Sequence, residues 1–236
     1  MTSSSVPSSR TRRAPVVFGL LVGVLGTVIL LWLGVWQLQR LDWKEGILAD
    51  IADRMASAPV ALPDDPDPVR DRYLPVRISG EVGETDVLVQ ASLKRVGPGY
   101  RVIAPFTTED GRRILIDRGF LRAANKTDPR APLAMTVEGN LHWPDEVDGF
   151  TPDPDPNAGL WFARDVPSLA AHLDTEPVLL VARATSAEQP GIVPLPVDTA
   201  GISNNHLQYA VTWFGLALVW AVMTGYFLRA RLRGSA

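Results

Sequence analysis

The chain has 236 residues, 46% of them hydrophobic, and a formal net charge of −3. That length leaves room for one ordinary domain plus extras. The absence of cysteine excludes disulfides, thiolate nucleophiles and Cys-based zinc or iron–sulfur sites.

In chain order, residues 1–14 form a basic tail with Arg10, Arg12 and Arg13 and no acid. From Ala14 to Gln39 there is then no charge across 26 positions. A helix rising ~1.5 Å per residue crosses a ~30 Å hydrocarbon core in ~20 residues, so residues 15–38 are expected to form a transmembrane helix. The run is longer than the ~7 to 15 residues of a signal-peptide core, and no A-x-A-like site precedes the tryptophans, so it reads as an uncleaved anchor.

After the span, "RLDWKEGILADIADRMAS" places Leu41, Ile47, Leu48, Ile51 and Met55 at helical spacing among charges, a short amphipathic helix ending before Pro59. "PDDPDPVRD" is a loop, and beyond it the period changes. "YLPVRISGEV" alternates Leu74, Val76 and Ile78 with Pro75, Arg77 and Ser79, as a strand with one buried face does. "DVLVQASL", "GYRVIAPFTTE", "RRILIDRGFL", "MTVEGNLHW" and "PVLLVARATS" are further strands. Turn signals divide several of them, notably Gly97-Pro98-Gly99 and the Asp110-Gly111 hairpin pair. "FTPDPDPNAG" holds too much proline for regular structure, "DVPSLAAHLD" is one short helix with Pro167 in its first turn, and "EQPGIVPLPVDTAGISNN" is an extended connector. Thr199 to Leu228 again carries no Asp, Glu, Lys or Arg over 30 positions, giving a second transmembrane helix at 207–228. The tail 229–236 has Arg229, Arg231 and Arg233 and no acid.

The fold class is therefore α+β: two transmembrane helices flanking a β-rich extracytoplasmic domain, residues 39–206, of about six strands. Cationic short flanks stay cytoplasmic, so both termini should face the cytoplasm and the middle domain the periplasm. The short tail shows no long transit peptide, which favours a bacterial inner membrane. The middle has an acidic excess, which argues against nucleic acid, and the two spans make the lipid bilayer an expected partner.

Catalytic motifs are missing. There is no G-x-G-x-x-G, no G-x-x-x-x-G-K-[ST], no H-E-x-x-H and no G-x-S-x-G. His142, His172 and His206 are too far apart in sequence for a zinc motif. His142 ends a strand and His172 lies on a helix, both ordinary structural positions. No enzyme is expected; a membrane-tethered hydrolase would have only unassembled Ser, His and Asp in its favour.

The spans say more. At ~100° per residue, Trp32, Trp36, Gln39, Arg40 and Trp43 share one face of the first helix. Gly19, Gly23, Gly26 and Gly34 form a different stripe, suited to close helix contact. On the second span, His206, Tyr209, Trp213 and Trp220 share a face. Arg40 and His206 end their spans at the same depth. Two readings follow: an aromatic belt at the interface, or a ligand cavity. A cavity of this kind suits haem, since imidazole is an axial ligand to its iron, aromatic rings pack on a flat macrocycle and Arg pairs with propionates. One His without cysteine gives a weakly closed iron, as a carrier needs.

"GVWQLQRLDWK" at 34–44, "YLPVRISGEV" at 73–82 and "NNHLQYAVTWF" at 204–214 together resemble the surfeit locus protein family, the assembly factors of cytochrome c oxidase; "LIDRGFL" and "WFARDVPSLA" are weaker echoes. The resemblance implies an assembly factor that binds haem a and assists its insertion, with haem a synthase and the oxidase catalytic subunit as partners. It implies His206 as axial ligand of the haem iron; the family's W-Q-x-x-R segment maps onto Trp36, Gln37 and Arg40, which we expect to face the cofactor, and Tyr209 and Trp213 lie on the same helix face as His206. Where relatives usually read R-G-W, this chain has Arg118, Gly119 and Phe120. A cofactor-free scaffold for oxidase intermediates is the alternative.

Overall fold

The computed structural model describes residues 14–199 and 202–233. Three α-helices and eight strands follow in the order α1 (Ala14–Ala56), β1 (Pro75–Val82), β2 (Val87–Leu93), β3 (Gly97–Thr108), β4 (Arg113–Arg122), β5 (Leu133–Leu141), β6 (Leu160–Trp161), α2 (Val166–Leu173), β7 (Leu179–Thr185), β8 (Ile192–Val193) and α3 (His206–Arg233). They fall into two compact units, one holding the apolar helices and the other residues 50–199.

α1 and α3 are both long and apolar enough to cross a membrane, and almost none of either apolar stretch is buried, unlike the core helix of a soluble protein. The first span and the amphipathic segment after it are not two helices: α1 runs 43 residues without a break. Nothing between Leu38 and Ala56 stops it, since its first proline after Pro15 is Pro59. At ~1.5 Å per residue it is roughly twice as long as a ~30 Å hydrocarbon core is thick, so its charged half lies beyond the apolar layer. α3 begins on His206 itself and ends in the arginines.

In the β-rich unit, the six strands expected from the sequence are all present, joined by two-residue strands β6 and β8. β1 pairs with β3 and β5, β5 with β7, β7 with β4, and β4 with β3. These five pairings close on themselves, so β1, β3, β4, β7 and β5 form a small barrel, antiparallel except between β4 and β7. β2 and β6 extend from the first half of β3, and β8 from the end of β4. Closure removes the edges that an open sheet would expose.

Alternation fills the barrel. Val76, Phe106, Ile114, Ile116, Val137 and Leu180 point inward and are fully buried. The residues between them, Leu115, Leu179 and Val181, point outward and are covered by Leu169 and Leu173 of α2 and by Trp161 of β6. Pro167 sits in the first turn of α2, as its sequence predicts, and Asp174 caps its end in the left-handed region with φ of 53°.

The Asp110-Gly111 turn joins β3 to β4, with Gly111 at φ 85°. The other signalled turn lies slightly earlier than expected: residues 94–96 turn, Gly97 at φ 95° closes the bend, and Pro98 already pairs with Ser92. The proline-rich connector is not free. Ile192 and Val193 pair with Leu121 and Phe120 of β4, and Arg101 donates to the Leu195 carbonyl at 2.6 Å. Gly119 permits this approach, because its φ is 123° and a β-carbon there would lie 2.2 Å from the Val193 carbonyl oxygen. Phe120 is buried, 3% exposed.

Candidate functional site

The two apolar helices meet along the glycine stripe. A β-carbon on Gly23 would lie 2.1 Å from Thr224 Cγ2, one on Gly26 2.4 Å from Trp220 Nε1, and one on Gly34 2.6 Å from Phe214 Cε1. Glycine is therefore what lets the backbones approach, and on the other side Ala210 and Ala217 are buried. The Trp220 indole N–H donates to the Gly23 carbonyl at 3.1 Å, and the Thr27 hydroxyl donates to the same oxygen at 2.8 Å.

Three residues beyond Gly34, one helical step along the same seam, stands Gln37, which is 9% exposed. Its amide Oε1 lies 2.8 Å from His206 Nδ1. A carbonyl oxygen only accepts, so Nδ1 carries the hydrogen and, in the neutral ring, Nε2 bears the lone pair. Next to this pair the Lys44 ammonium donates to the Ser203 carbonyl, and the Asn205 amide donates to the Ser203 hydroxyl at 3.2 Å.

Of the residues singled out in the sequence, Gln37 and His206 are thus brought together. None of the others has a hydrogen bond to His206 among the described residues. The Arg40 guanidinium stacks 4.5 Å from the Trp43 ring centroid. Trp36 is exposed on the neighbouring face of α1, as the ~100° step from Gln37 requires. Tyr209 is exposed on α3 and Trp213 half-buried. The W-Q-x-x-R motif sets Gln37 beside Trp36 and Arg40; its place is on the glycine seam, and counting 19, 23, 26, 30, 34 and 37 in steps of three and four is the signal that reveals it. Lys44 had no such signal, because its partner is a backbone carbonyl.

The β-rich unit holds a second cluster of buried charge that the sequence reading missed. Asp117 is fully buried and accepts from Arg101 Nε, from Arg164 Nη1 at 3.4 Å and from the Gly119 N–H at 3.1 Å. Arg164 also grips Glu146 in a fork. Burial pushes the Asp117 carboxyl up against the pull of Arg101 and Arg164. Register slips between Val102 and Ile103 of β3, leaving Arg118 as the extra residue opposite; its guanidinium is buried and donates to Gln189 at 2.6 Å. The visible signal was an Asp-Arg pair inside an otherwise apolar strand.

His142 stacks on Tyr73 with ring centroids 5.3 Å apart. Burial first, then the Arg164 and Arg72 charges, pushes its pKa down to about 4. The folded state therefore holds the ring neutral. Its contribution to stability is complete above about pH 6.5, the ordinary histidine value, and is lost as pH falls from there toward about 4. Between pH 7 and pH 4.5 the wild type should lose about 2–3 kcal/mol more than His142→Phe, measured as urea midpoints on the detergent-solubilised chain. Parallel losses in the two proteins would remove His142 from the account. His172 lies exposed on α2, its ring 5.7 Å from that of Trp161. No group of three or more His, Asp or Glu that could hold a metal ion occurs among the described residues.

Comparison with known proteins gives one consistent match. The model of the SURF1 family fits residues 24–218. Surfeit locus protein 1 of Homo sapiens is 29% identical, with 99% of this chain and 84% of the human protein covered. Surfeit locus protein 1 of Xenopus tropicalis is 30% identical over 78% of this chain and 67% of its own length. The SURF1-like protein of Monosiga brevicollis is 29% identical over 97% of this chain and 94% of its own.

Proposed function

The chain belongs to the SURF1 family, and on that footing we propose that it is a membrane-bound assembly factor of cytochrome c oxidase that binds haem a and assists its insertion into the catalytic subunit. It acts as a carrier and not as an enzyme, receiving the cofactor from haem a synthase. It lies in a bacterial inner membrane with both termini cytoplasmic and the β-rich unit periplasmic, the arrangement that its arginine-bearing ends favour.

The observation that carries this reading is the His206 ring, held through Nδ1 by Gln37 at 2.8 Å so that its other nitrogen has a lone pair to give. When bound, haem supplies an iron that takes imidazole as an axial ligand, a flat apolar macrocycle and two carboxylates. The residues present suit that group. His206 would be the iron ligand, Arg40 the cation for a carboxylate, and Trp36, Tyr209 and Trp213 the aromatic surfaces. Gln37 would hold the ligand ring. A single imidazole is a weak hold, which fits a protein that must give its cargo away.

Protein purified from a membrane that makes haem a should carry the pigment, and His206→Ala should lose the haem absorption while still inserting into the membrane. A variant with full occupancy and an unchanged spectrum would remove His206 as the ligand. Colourless wild-type protein from the same membrane would instead favour the cofactor-free scaffold.

A further inference from the structure

We infer that Gln37 is a positioning residue that fixes the tautomer and tunes the donor strength of His206 toward an iron; this rests on the haem reading above. The inference starts from geometry. Gln37 stands one helical step beyond Gly34 on the seam of α1, is 9% exposed, and meets His206 Nδ1 at 2.8 Å. Placing an amide there costs desolvation unless both its ends are satisfied, and an alanine or glycine would continue the seam at no such cost. The imidazole repays the oxygen.

The pairing settles three things at once. It selects the Nδ1–H tautomer, so the ligating atom is always Nε2. It prevents rotation of the ring about its bond to the chain, because turning the ring breaks the bond to Gln37. And it sets basicity: a neutral amide oxygen withdraws less of the Nδ1 proton than a carboxylate does, so the ring remains a moderate donor. A hydrogen-bond partner behind a metal-bound histidine is commonly worth 10- to 100-fold in affinity. A moderate partner suits a hold that must later be released.

Full-length wild type, His206→Ala, Gln37→Leu and Gln37→Glu should be compared by titration with haem a, by the ferrous iron–imidazole stretching frequency and by reduction potential. Gln37→Leu is expected to weaken binding ~10- to 100-fold, lower the stretching frequency and raise the potential. Gln37→Glu, which restores an acceptor and makes it anionic, should bind at least as tightly as wild type, raise the frequency and lower the potential. The inference is overturned if Gln37→Leu shares the wild-type frequency and potential, or if Gln37→Glu behaves as Gln37→Leu does. Loss of haem in His206→Ala with no effect of either Gln37 variant sinks this inference alone. Full haem retention in His206→Ala sinks the ligand assignment beneath it.

Discussion

Asp117→Ala should destabilise the β-rich unit by about 3–5 kcal/mol, the largest single-residue effect expected outside the spans. Asp117 is fully buried, and two guanidinium groups, of Arg101 and Arg164, converge on the same carboxylate oxygen. Each of those side chains is itself 12% exposed. Removing the acid leaves two cations facing one another with little water; Arg164 retains an acidic partner, Glu146, while Arg101 keeps only the neutral Leu195 carbonyl. It also strips an acceptor from the Gly119 N–H, whose backbone conformation holds the connector against β4. A loss of that size is a large part of the ~5–15 kcal/mol that keeps an ordinary domain folded. Urea unfolding of the full chain, followed by tryptophan emission, should show it. Replacing Arg101, Asp117 and Arg164 together by apolar residues of similar volume should cost much less, because no charge is then left behind. If the single and the triple change cost the same, the damage comes from packing and not from stranded charge.

Gly23→Leu should separate the two apolar helices. The first added carbon already lies 2.1 Å from Thr224, and the carbonyl at that position is where Trp220 docks. Accommodating a whole leucine forces backbone movement, with about 1–3 kcal/mol of overpacking and the loss of the indole bond. A matched control exists in the same layer: Gly225 has no atom within 4 Å of its missing β-carbon, so Gly225→Leu should be silent. The absence of native cysteine makes the measurement clean, since a Gly34→Cys/Phe214→Cys pair would be the only thiols in the chain. Oxidative cross-linking should be efficient in the otherwise native chain and with Gly225→Leu, and should fall to background with Gly23→Leu. On the haem reading proposed above, pigment content should fall with it, because Gln37 and His206 sit on the same seam. Unimpaired cross-linking in Gly23→Leu would show that the stripe does not set the helix contact.

How far these features could be read from residues depends on whether they repeat. Strands β1 to β5 and β7 run for seven or more residues, long enough for alternation or a continuous apolar run to announce them. β6 and β8, with two residues each, have no period to detect. The spans were legible from absent charge, and the glycine stripe from helical spacing. The continuity of α1 was hidden because a change from apolar to amphipathic character resembles a boundary while being none to the backbone. Closure of the barrel rests on β4 meeting both β3 and β7, and no local pattern encodes which distant strand is the neighbour. Gln37 shows the same limit at the site: its residue type suggested a polar contact, but only the two helices together reveal that the partner is His206.

The parallel pairing of Leu115 with Leu179 also constrains how the chain reaches its native state. A ring is complete only when its last member arrives, and here that member is followed within about one connector by the second span. During synthesis β1, β3 and β4 must wait, with unpaired edges and a row of uncovered valines and isoleucines, until almost the whole middle of the chain has appeared. Non-local closure of this sort is slow and leaves intermediates open to wrong partners. The strand that quenches them is β7, which stands one connector before α3, so a chain truncated ahead of β7 should surface as aggregation or proteolysis of the β-rich unit.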